Sequence, residues 1–260
     1  MRLHVESFGS GSPLLLIHGW GMHGGVWSDV AKKLAANFRV LCVDLPGYGY
    51  SKAETGEDDS RESSLDSIVE ELSSWFSEPI NVCGWSLGGQ IALRWALREP
   101  NKVRSLILVA STPCFSERED WSYGMGKTVL EKFAAELEQN HAATLRRFIT
   151  LQLRGSENER ELLAMLRESL FSRGEPDMQA LRGGLSILRD ADLRGELQSV
   201  IQPTLVISGE RDKLTPAEAS RYLAENIPVA RLVEVKGAAH APFLSHPDEF
   251  VMQLKMFVNL

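Results

Sequence analysis

The most chemically specific stretch of the 260-residue chain is a G-x-S-x-G pattern at 84–88. An apolar, β-branched run at 80–83 precedes it, and a helix-forming run begins near Gly89. A serine on a tight strand-to-helix turn projects its hydroxyl from the carboxyl edge of a sheet, where it can act as a nucleophile. The glycines allow the close backbone contacts that such a turn requires. We therefore predict that Ser86 is a nucleophile.

A serine nucleophile needs a general base, and among the six histidines His240 has the matching position, in a loop after the last β-rich run. The histidine in turn needs an acid that fixes its tautomer. Glu210 and Asp212 both follow the preceding β-rich run; we favour Asp212 and keep Glu210 as the alternative. The chain order Ser86, Asp212, His240 is the order expected for this kind of site.

The oxyanion formed during acyl transfer requires backbone N–H donors. One is expected from Leu87, the residue after the nucleophile. The other is expected from Trp20, in the H-G-W-G loop that follows an early buried strand. The Trp20 indole is also placed to form one wall of the pocket; the alternative is that Trp20 is only a core aromatic. His18, in the same loop, is interpreted as structural.

The elements that must position these residues alternate between β-rich and helical runs. Strand patterns occur at 13–17, 38–44, 80–83, 106–109, 204–207 and 231–235. Helical stretches such as 64–76 and 90–98 lie between them. This alternation predicts the α/β class, with a mostly parallel central sheet and helices on both faces.

One long segment interrupts the alternation. Between 113 and 202 no strand pattern is found, and helical stretches are predicted at 126–138, 142–153, 158–171 and 177–189. We therefore predict a core formed by 1–112 and 203–260, and an inserted helical cap, or lid, formed by 113–202.

Composition excludes several functional classes. A net charge of −7 argues against nucleic-acid binding, and no apolar run approaches the ~20 residues that span a bilayer. The three cysteines, Cys42, Cys83 and Cys114, form no C-x-x-C pair and are typical of free thiols in a reducing compartment. No metal-ligand motif, nucleotide loop or signal peptide is present. We expect a cytoplasmic monomer that needs no metal or other cofactor.

Longer motifs surround the candidate residues. They are LIHGWG at 16–21, CGWSLGG at 83–89, RF at 147–148, LQ at 151–152, GGL with IL at 183–188, and AAHAPF at 238–243 followed by SHP at 245–247. Over its whole length the sequence resembles the α/β-hydrolases. More narrowly, it resembles the pimeloyl-acyl carrier protein methyl ester esterases of biotin synthesis, and the matching motifs extend into the predicted cap.

The resemblance implies an α/β-hydrolase fold with a helical cap, and cleavage of the methyl ester of pimeloyl-acyl carrier protein to pimeloyl-acyl carrier protein and methanol. It also implies a substrate site formed by Trp20, Ser86, Leu87, Phe148, Ile149, Thr150, Leu151, Gln152 and His240. Acyl carrier protein is acidic, so docking requires a basic patch on this acidic chain. The predicted docking residues are Arg146, Arg147, Arg154 and Arg160, for which an ordinary solvated helix face is the alternative. Ala143 and Ala164 stand near positions where family members can carry arginine.

Two other functions stay open. A general short-chain carboxylesterase or a carbon–carbon bond hydrolase would share the three catalytic residues and differ in the cap pocket. Haloalkane dehalogenases and epoxide hydrolases use an aspartate nucleophile, which Ser86 argues against. A non-catalytic binding module would normally have lost one of the three residues, and all three are present.

Overall fold

A seven-stranded sheet forms the centre of the protein in the computed structural model, which describes residues 3–51 and 63–258. The strands are β1 (His4–Phe8), β2 (Ser12–Ile17), β3 (Phe38–Asp44), β4 (Ile80–Trp85), β5 (Val103–Val109), β6 (Thr204–Gly209) and β7 (Ala230–Val235). Their spatial order is β1-β3-β2-β4-β5-β6-β7. Within this sheet β1 is antiparallel to β3, and all other neighbouring strands are parallel. The predicted mostly parallel sheet is confirmed.

Helices flank this sheet. They are α1 (Ser28–Leu34), α2 (Leu65–Ser74), α3 (Leu87–Arg98), α8 (Ala217–Asn226), α9 (Pro242–Ser245) and α10 (Pro247–Val258). Four further helices are inserted between β5 and β6. Helix α1 packs against α10, α2 packs against α3, and α8 covers β6 and β7. Every residue of β4 and β6 is buried, which explains why these strands read as continuous apolar runs.

Strand β1 is not predicted by the sequence patterns. Three of its five residues (HVESF) are polar, and four of the five are only partly buried. It lies at the edge of the sheet and pairs with β3 alone. An edge strand of this kind lacks the continuous apolar run that identifies the central parallel strands.

Four helices, which we call the cap helices, connect β5 to β6. They are α4 (Lys127–Gln139), α5 (His141–Leu153), α6 (Glu159–Ser169) and α7 (Met178–Asp190), and their ends lie within two residues of the predicted helical stretches. Helix α5 packs against α4 and α6, while α6 contacts α9 and the 3-10 turn Gly24–Trp27 of the sheet layer. One isolated β-bridge, between Cys114 and Asp192, joins the start of the insertion to a segment near its end. The division into a core (1–112 and 203–260) and a cap (113–202) stays a prediction.

The three cysteines are free thiols buried in the fold. Burial raises the pKa of the Cys42 thiol to about 12, and it also raises the pKa of Cys83 and Cys114. Among residues 3–51 and 63–258, no helix combines the length and the apolar character needed to cross a membrane.

Candidate active site

Ser86 lies on a strained turn between β4 and α3. Its φ is 56°, in the left-handed region that residues with a side chain rarely adopt. A Cβ on Gly84 would collide with the carbonyl oxygen of Gly88, so the turn can close only with glycine there. The N–H of Ser86 donates to the carbonyl oxygen of Val109 at 2.9 Å and ties the turn to β5. The side chain is thereby held at the carboxyl edge of the sheet and the N-terminus of α3.

His240 lies in the loop after β7, where its backbone is held on two sides. Its N–H donates to the carbonyl oxygen of Gln152, on cap helix α5, at 3.0 Å. Its carbonyl oxygen accepts a hydrogen bond from the indole N–H of Trp85 at 2.8 Å. Since Trp85 immediately precedes Ser86, the histidine loop lies directly beside the strained turn.

Asp212 follows β6 and meets the His240 ring. The Oδ2 atom of Asp212 lies 2.8 Å from Nδ1 of His240, and both side chains are buried. A carboxylate only accepts hydrogen bonds, so Nδ1 carries the proton and Nε2 is left as the acceptor. Nε2 is buried and has no hydrogen-bond partner among the described residues. With Nδ1 bonded to Asp212, the ring can present its other nitrogen, Nε2, to a substrate or a hydroxyl.

Glu210, the alternative acid, points elsewhere. Its carboxylate accepts a hydrogen bond from the N–H of Gly237 at 2.9 Å, and its side chain is 42% exposed. The structure thus brings Asp212, and not Glu210, to the His240 ring.

Two residues at this site were missed by the sequence reasoning. The hydroxyl of Thr215 donates to Oδ2 of Asp212 at 2.7 Å, while the N–H groups of Leu214 and Thr215 donate to Oδ1. Trp85, which holds the His240 carbonyl, is the other. An aspartate that can bond the backbone two residues on is a recognised turn signal, and it could have indicated the tight loop that brings Thr215 to Asp212. The role of Trp85 depends on a contact across 155 residues of chain, for which the sequence offers no signal.

Leu87 and the loop that contains Trp20, the two predicted sources of oxyanion donors, both adjoin Ser86. Leu87 is the first residue of α3, so its N–H has no acceptor within its own helix. The loop containing Trp20 packs on the turn, because a Cβ on Gly19 would lie only 3.3 Å from the Cβ of Ser86. Developing negative charge here would also meet the positive end of the α3 dipole.

His18 belongs to the scaffold of this loop. Its Nδ1–H donates to the carbonyl oxygen of Gly19 at 2.8 Å, and its Nε2 accepts from the N–H of Leu45 at 2.9 Å. Burial lowers the pKa of His18 to about 4, so the ring is neutral at physiological pH. Within 3–51 and 63–258, no cluster of three or more histidine, cysteine or acidic side chains could hold a metal ion.

Aromatic side chains from the core and the cap meet next to Trp20. The Trp20 ring contacts Phe148 edge-on at 5.1 Å and Phe133 at 5.4 Å between centroids, and its indole N–H donates to the carbonyl oxygen of Leu181. Trp20 is therefore packed in an aromatic cluster shared by the loop after β2 and the cap helices.

The five residues of α5 that were predicted to line the pocket differ in exposure, because the helix turns them to different sides. Phe148, Ile149 and Gln152 are buried. Thr150 is half-buried and its hydroxyl bonds the Arg146 carbonyl oxygen, while Leu151 is 38% exposed. Five consecutive helical residues cover more than a full turn, so they cannot all face one pocket.

The four predicted docking arginines are exposed on the cap. The guanidinium of Arg146 lies over the Phe171 ring, and that of Arg147 pairs with Glu136 of α4. The sequence segment around Arg147 contains no acidic residue, but the fold brings one to it. Arg154 and Arg160 lie on either side of the turn between α5 and α6.

Comparison with known proteins agrees with this geometry. The family model described as alpha/beta hydrolase fold matches residues 12–247. Among solved structures, an esterase from Exiguobacterium antarcticum superposes with a TM-score of 0.89 at 25% identity, covering 99% of this chain and 96% of that one. A bromoperoxidase from Bacillus anthracis, 21% identical with a TM-score of 0.89, covers 99% of this chain and 95% of its own and shares the fold.

Curated relatives are closer in sequence. The pimeloyl-[acyl-carrier protein] methyl ester esterase of Nitrosomonas europaea is 46% identical over 250 residues, covering 96% of each chain. That of Nitrosospira multiformis is 40% identical over 260 residues, covering 100% of this chain and 99% of its own. The matched regions include the cap as well as the sheet. The chain therefore belongs to the alpha/beta hydrolase family, in which these curated relatives are pimeloyl-[acyl-carrier protein] methyl ester esterases.

Proposed function

We propose that this protein is a serine carboxylesterase that hydrolyses the methyl ester of pimeloyl-acyl carrier protein to pimeloyl-acyl carrier protein and methanol, in biotin synthesis. The observation that carries the proposal is the near full-length identity of 40–46% to relatives that bear this name. The buried Asp212–His240 pair beside the strained turn of Ser86 supplies the chemistry.

In the proposed mechanism, the Ser86 hydroxyl oxygen attacks the ester carbonyl while Nε2 of His240 takes its proton. Asp212 holds the tautomer and stabilises the imidazolium. The N–H groups of Leu87 and Trp20 bind the oxyanion, each contributing about 3 kcal/mol to the transition state. The imidazolium then protonates the leaving methoxide to methanol. A water molecule, deprotonated by His240, then attacks the acyl group bound to Ser86. The bond to Oγ breaks, the imidazolium returns the proton to Oγ, and the pimeloyl carboxylate leaves.

The proposed acyl pocket combines apolar walls with one buried amide. Trp20, Phe148 and Ile149 offer apolar surface suited to a chain of methylene groups. Gln152 is 2% exposed, and its Oε1 has no hydrogen-bond partner among the described residues. Of the remaining predicted contacts, Thr150 and Leu151 would meet substrate at the outer rim, because they lie toward the surface of α5.

We place carrier docking on the exposed face formed by Arg146, Arg147, Arg154 and Arg160. A local basic patch can attract an acidic partner even when the whole protein is acidic. Arg147 should contribute least, because Glu136 already neutralises it.

We further propose that the enzyme acts as a cytoplasmic monomer, in keeping with free thiols and a carrier-bound substrate. Size-exclusion chromatography with light scattering would check the oligomeric state.

The test compares wild-type protein with Ser86→Ala. We expect a fluorophosphonate probe to label the wild type and not the variant. We also expect kcat/KM for pimeloyl-carrier methyl ester to exceed that for short p-nitrophenyl esters. Equal or reversed kcat/KM values would favour a general carboxylesterase, and more than a few per cent of activity in Ser86→Ala would overturn the serine mechanism.

A further inference from the structure

The turn that joins α5 to α6 on the cap is bonded directly to the histidine loop, residues 236–241. The carbonyl oxygen of Gln152 accepts from the His240 N–H at 3.0 Å. The hydroxyl oxygen of Ser156 accepts from the Ala239 N–H at 3.2 Å. The N–H of Glu157 donates to the carbonyl oxygen of Gly237 at 3.2 Å. Three groups of the histidine loop are thus bonded to one short segment of the cap.

Ser156 is the one side chain among these three cap-side partners. It is 8% exposed, and Ala239 is 1% exposed, so water cannot readily replace the bond between them. The N–H of Ser156 donates to the carbonyl oxygen of Leu153 at 2.9 Å, which anchors the backbone of Ser156 in its turn. From this anchored position the hydroxyl oxygen meets the Ala239 N–H.

The contacts of His240 come from both layers of the molecule. The core holds its carbonyl oxygen through Trp85 and its ring through Asp212. The cap holds the His240 N–H through Gln152 and the Ala239 N–H through Ser156. Loss of the cap-side contacts would leave the loop free to pivot about its core-side contacts. Small displacements of a catalytic group have large effects on rate.

We propose that Ser156 is a positioning residue for hydrolysis: acting through Ala239, it holds His240 where it can serve as the base for Ser86. This inference rests on the proposed function, because it assumes that His240 is the base. The cap then contributes to the chemical step as well as to the pocket wall.

The experiment measures kcat and KM for a short p-nitrophenyl ester across Ser156→Thr, Ser156→Cys and Ser156→Ala. We expect kcat to follow acceptor strength, with Thr close to wild type, Cys intermediate and Ala lower by about tenfold, while KM changes less than twofold. The rate of fluorophosphonate inactivation should fall in the same order. A merely structural role would lower thermal stability without this ordered change in kcat.

The matched control is Ser172→Ala, on the same cap. Ser172 is exposed, and its hydroxyl contacts the carbonyl oxygen of Ser169 and Nε2 of His23, neither of which belongs to the histidine loop, so kcat should stay at the wild-type value. If Ser156→Ala fails to fold, the Thr and Cys variants still test the order. An unchanged kcat in the folded variants, or an effect confined to KM, overturns the inference. Ser86→Ala is assayed alongside: its inactivity with a flat Ser156 series would reject this inference alone, whereas its activity would reject the proposed function.

Discussion

At the scale of single residues, the choice between two acids on one turn is decided by their hydrogen bonds. Asp212 accepts from two backbone N–H groups, from the Thr215 hydroxyl and from the His240 ring. Glu210 accepts from Gly237 and extends toward solvent. The backbone donors hold the Asp212 carboxylate in one orientation, so the histidine meets a fixed acceptor.

Asp212→Asn should lower kcat by about 10⁴-fold with little loss of stability. The amide oxygen can still accept from the backbone donors, but the amide nitrogen would face Nδ1 and favour the wrong tautomer of His240. Glu210→Gln, the matched control, should have a far smaller effect. Ester hydrolysis and thermal unfolding of both variants provide the measurement, and the reverse ranking would assign the acid to Glu210.

The sequence could predict the meeting of Asp212 and His240 because each follows a strand, and the carboxyl ends of parallel strands share one edge of the sheet. It could not predict that Leu151 is exposed while Phe148, Ile149 and Gln152 are buried, since a motif names consecutive residues and the helix turns them to different sides. Nor could it predict that Glu136 pairs with Arg147, because that contact arises from the packing of α4 on α5.

At the scale of elements, one arginine links the cap to the sheet. Arg173 follows α6, has a side chain only 9% exposed, and pairs with Asp44 at the end of β3 and with Glu6 in β1. Its guanidinium also lies over the Tyr50 ring, 5.3 Å from the centroid. Burial would raise the pKa of Asp44, but hydrogen bonds led by that from the Tyr50 N–H, together with the positive charge of Arg173, lower it. The ionised carboxylate therefore depends partly on a cap residue.

Arg173→Met should destabilise the protein by about 3 kcal/mol, because it leaves the buried Asp44 carboxylate without its cation. Urea unfolding measures the change. Arg182→Met is the matched control: Arg182 pairs with Glu138 within the cap, both side chains are exposed, and its removal should matter little. Equal losses from the two variants would mean that Arg173 does not anchor the cap.

The exposed face of α5 and the turn after it should distinguish large substrates from small ones. Alanine at Arg146, Arg147 and Arg154 should raise KM for pimeloyl-carrier methyl ester roughly tenfold, as three exposed charge contacts are lost. Hydrolysis of p-nitrophenyl esters should hardly change. Salt should mimic the substitution, because exposed charges are screened beyond about 8 Å at physiological ionic strength.

Steady-state kinetics at two salt concentrations give the measurement, with Arg189→Ala on α7 as the control. Arg189 is also exposed and pairs with Asp190, so its loss tests for a general effect of cap charge. A KM that is independent of salt, with both substrates responding equally to the triple substitution, would show that these arginines are ordinary surface charge.

At the scale of the whole molecule, buried neutral histidines make stability depend on pH. Burial lowers the pKa of His18 to about 4 and also lowers the pKa of His23, which bonds the carbonyl oxygen of Ser169 on the cap. In the unfolded chain both rings titrate near their ordinary pKa of about 6.5. Between these values the unfolded state binds more protons than the folded state, so stability falls as pH falls.

The contribution of these histidines to the free energy of unfolding should therefore be constant above pH 6.5 and decline toward pH 4. His18 accounts for up to about 3 kcal/mol of the decline. Urea unfolding at pH 8, 6 and 5 measures the slope. His18→Gln should flatten it, and the comparison at pH 8, where the histidine is neutral in both states, isolates the packing cost of the substitution. A wild-type slope near zero would contradict the assignment of a buried neutral His18.

Because all three thiols are buried, their alkylation can be used to follow the unfolding of the protein over time. A thiol reacts with an alkylating reagent as its thiolate, and these thiols have raised pKa values and no exposed surface. Modification must therefore wait for the fold to open. Cys42 and Cys83 lie in the central sheet, whereas Cys114 lies where the chain leaves the sheet for the cap, against Trp121. The order in which the thiols are alkylated would thus record whether the cap detaches before the sheet unravels, with no label engineered into the chain.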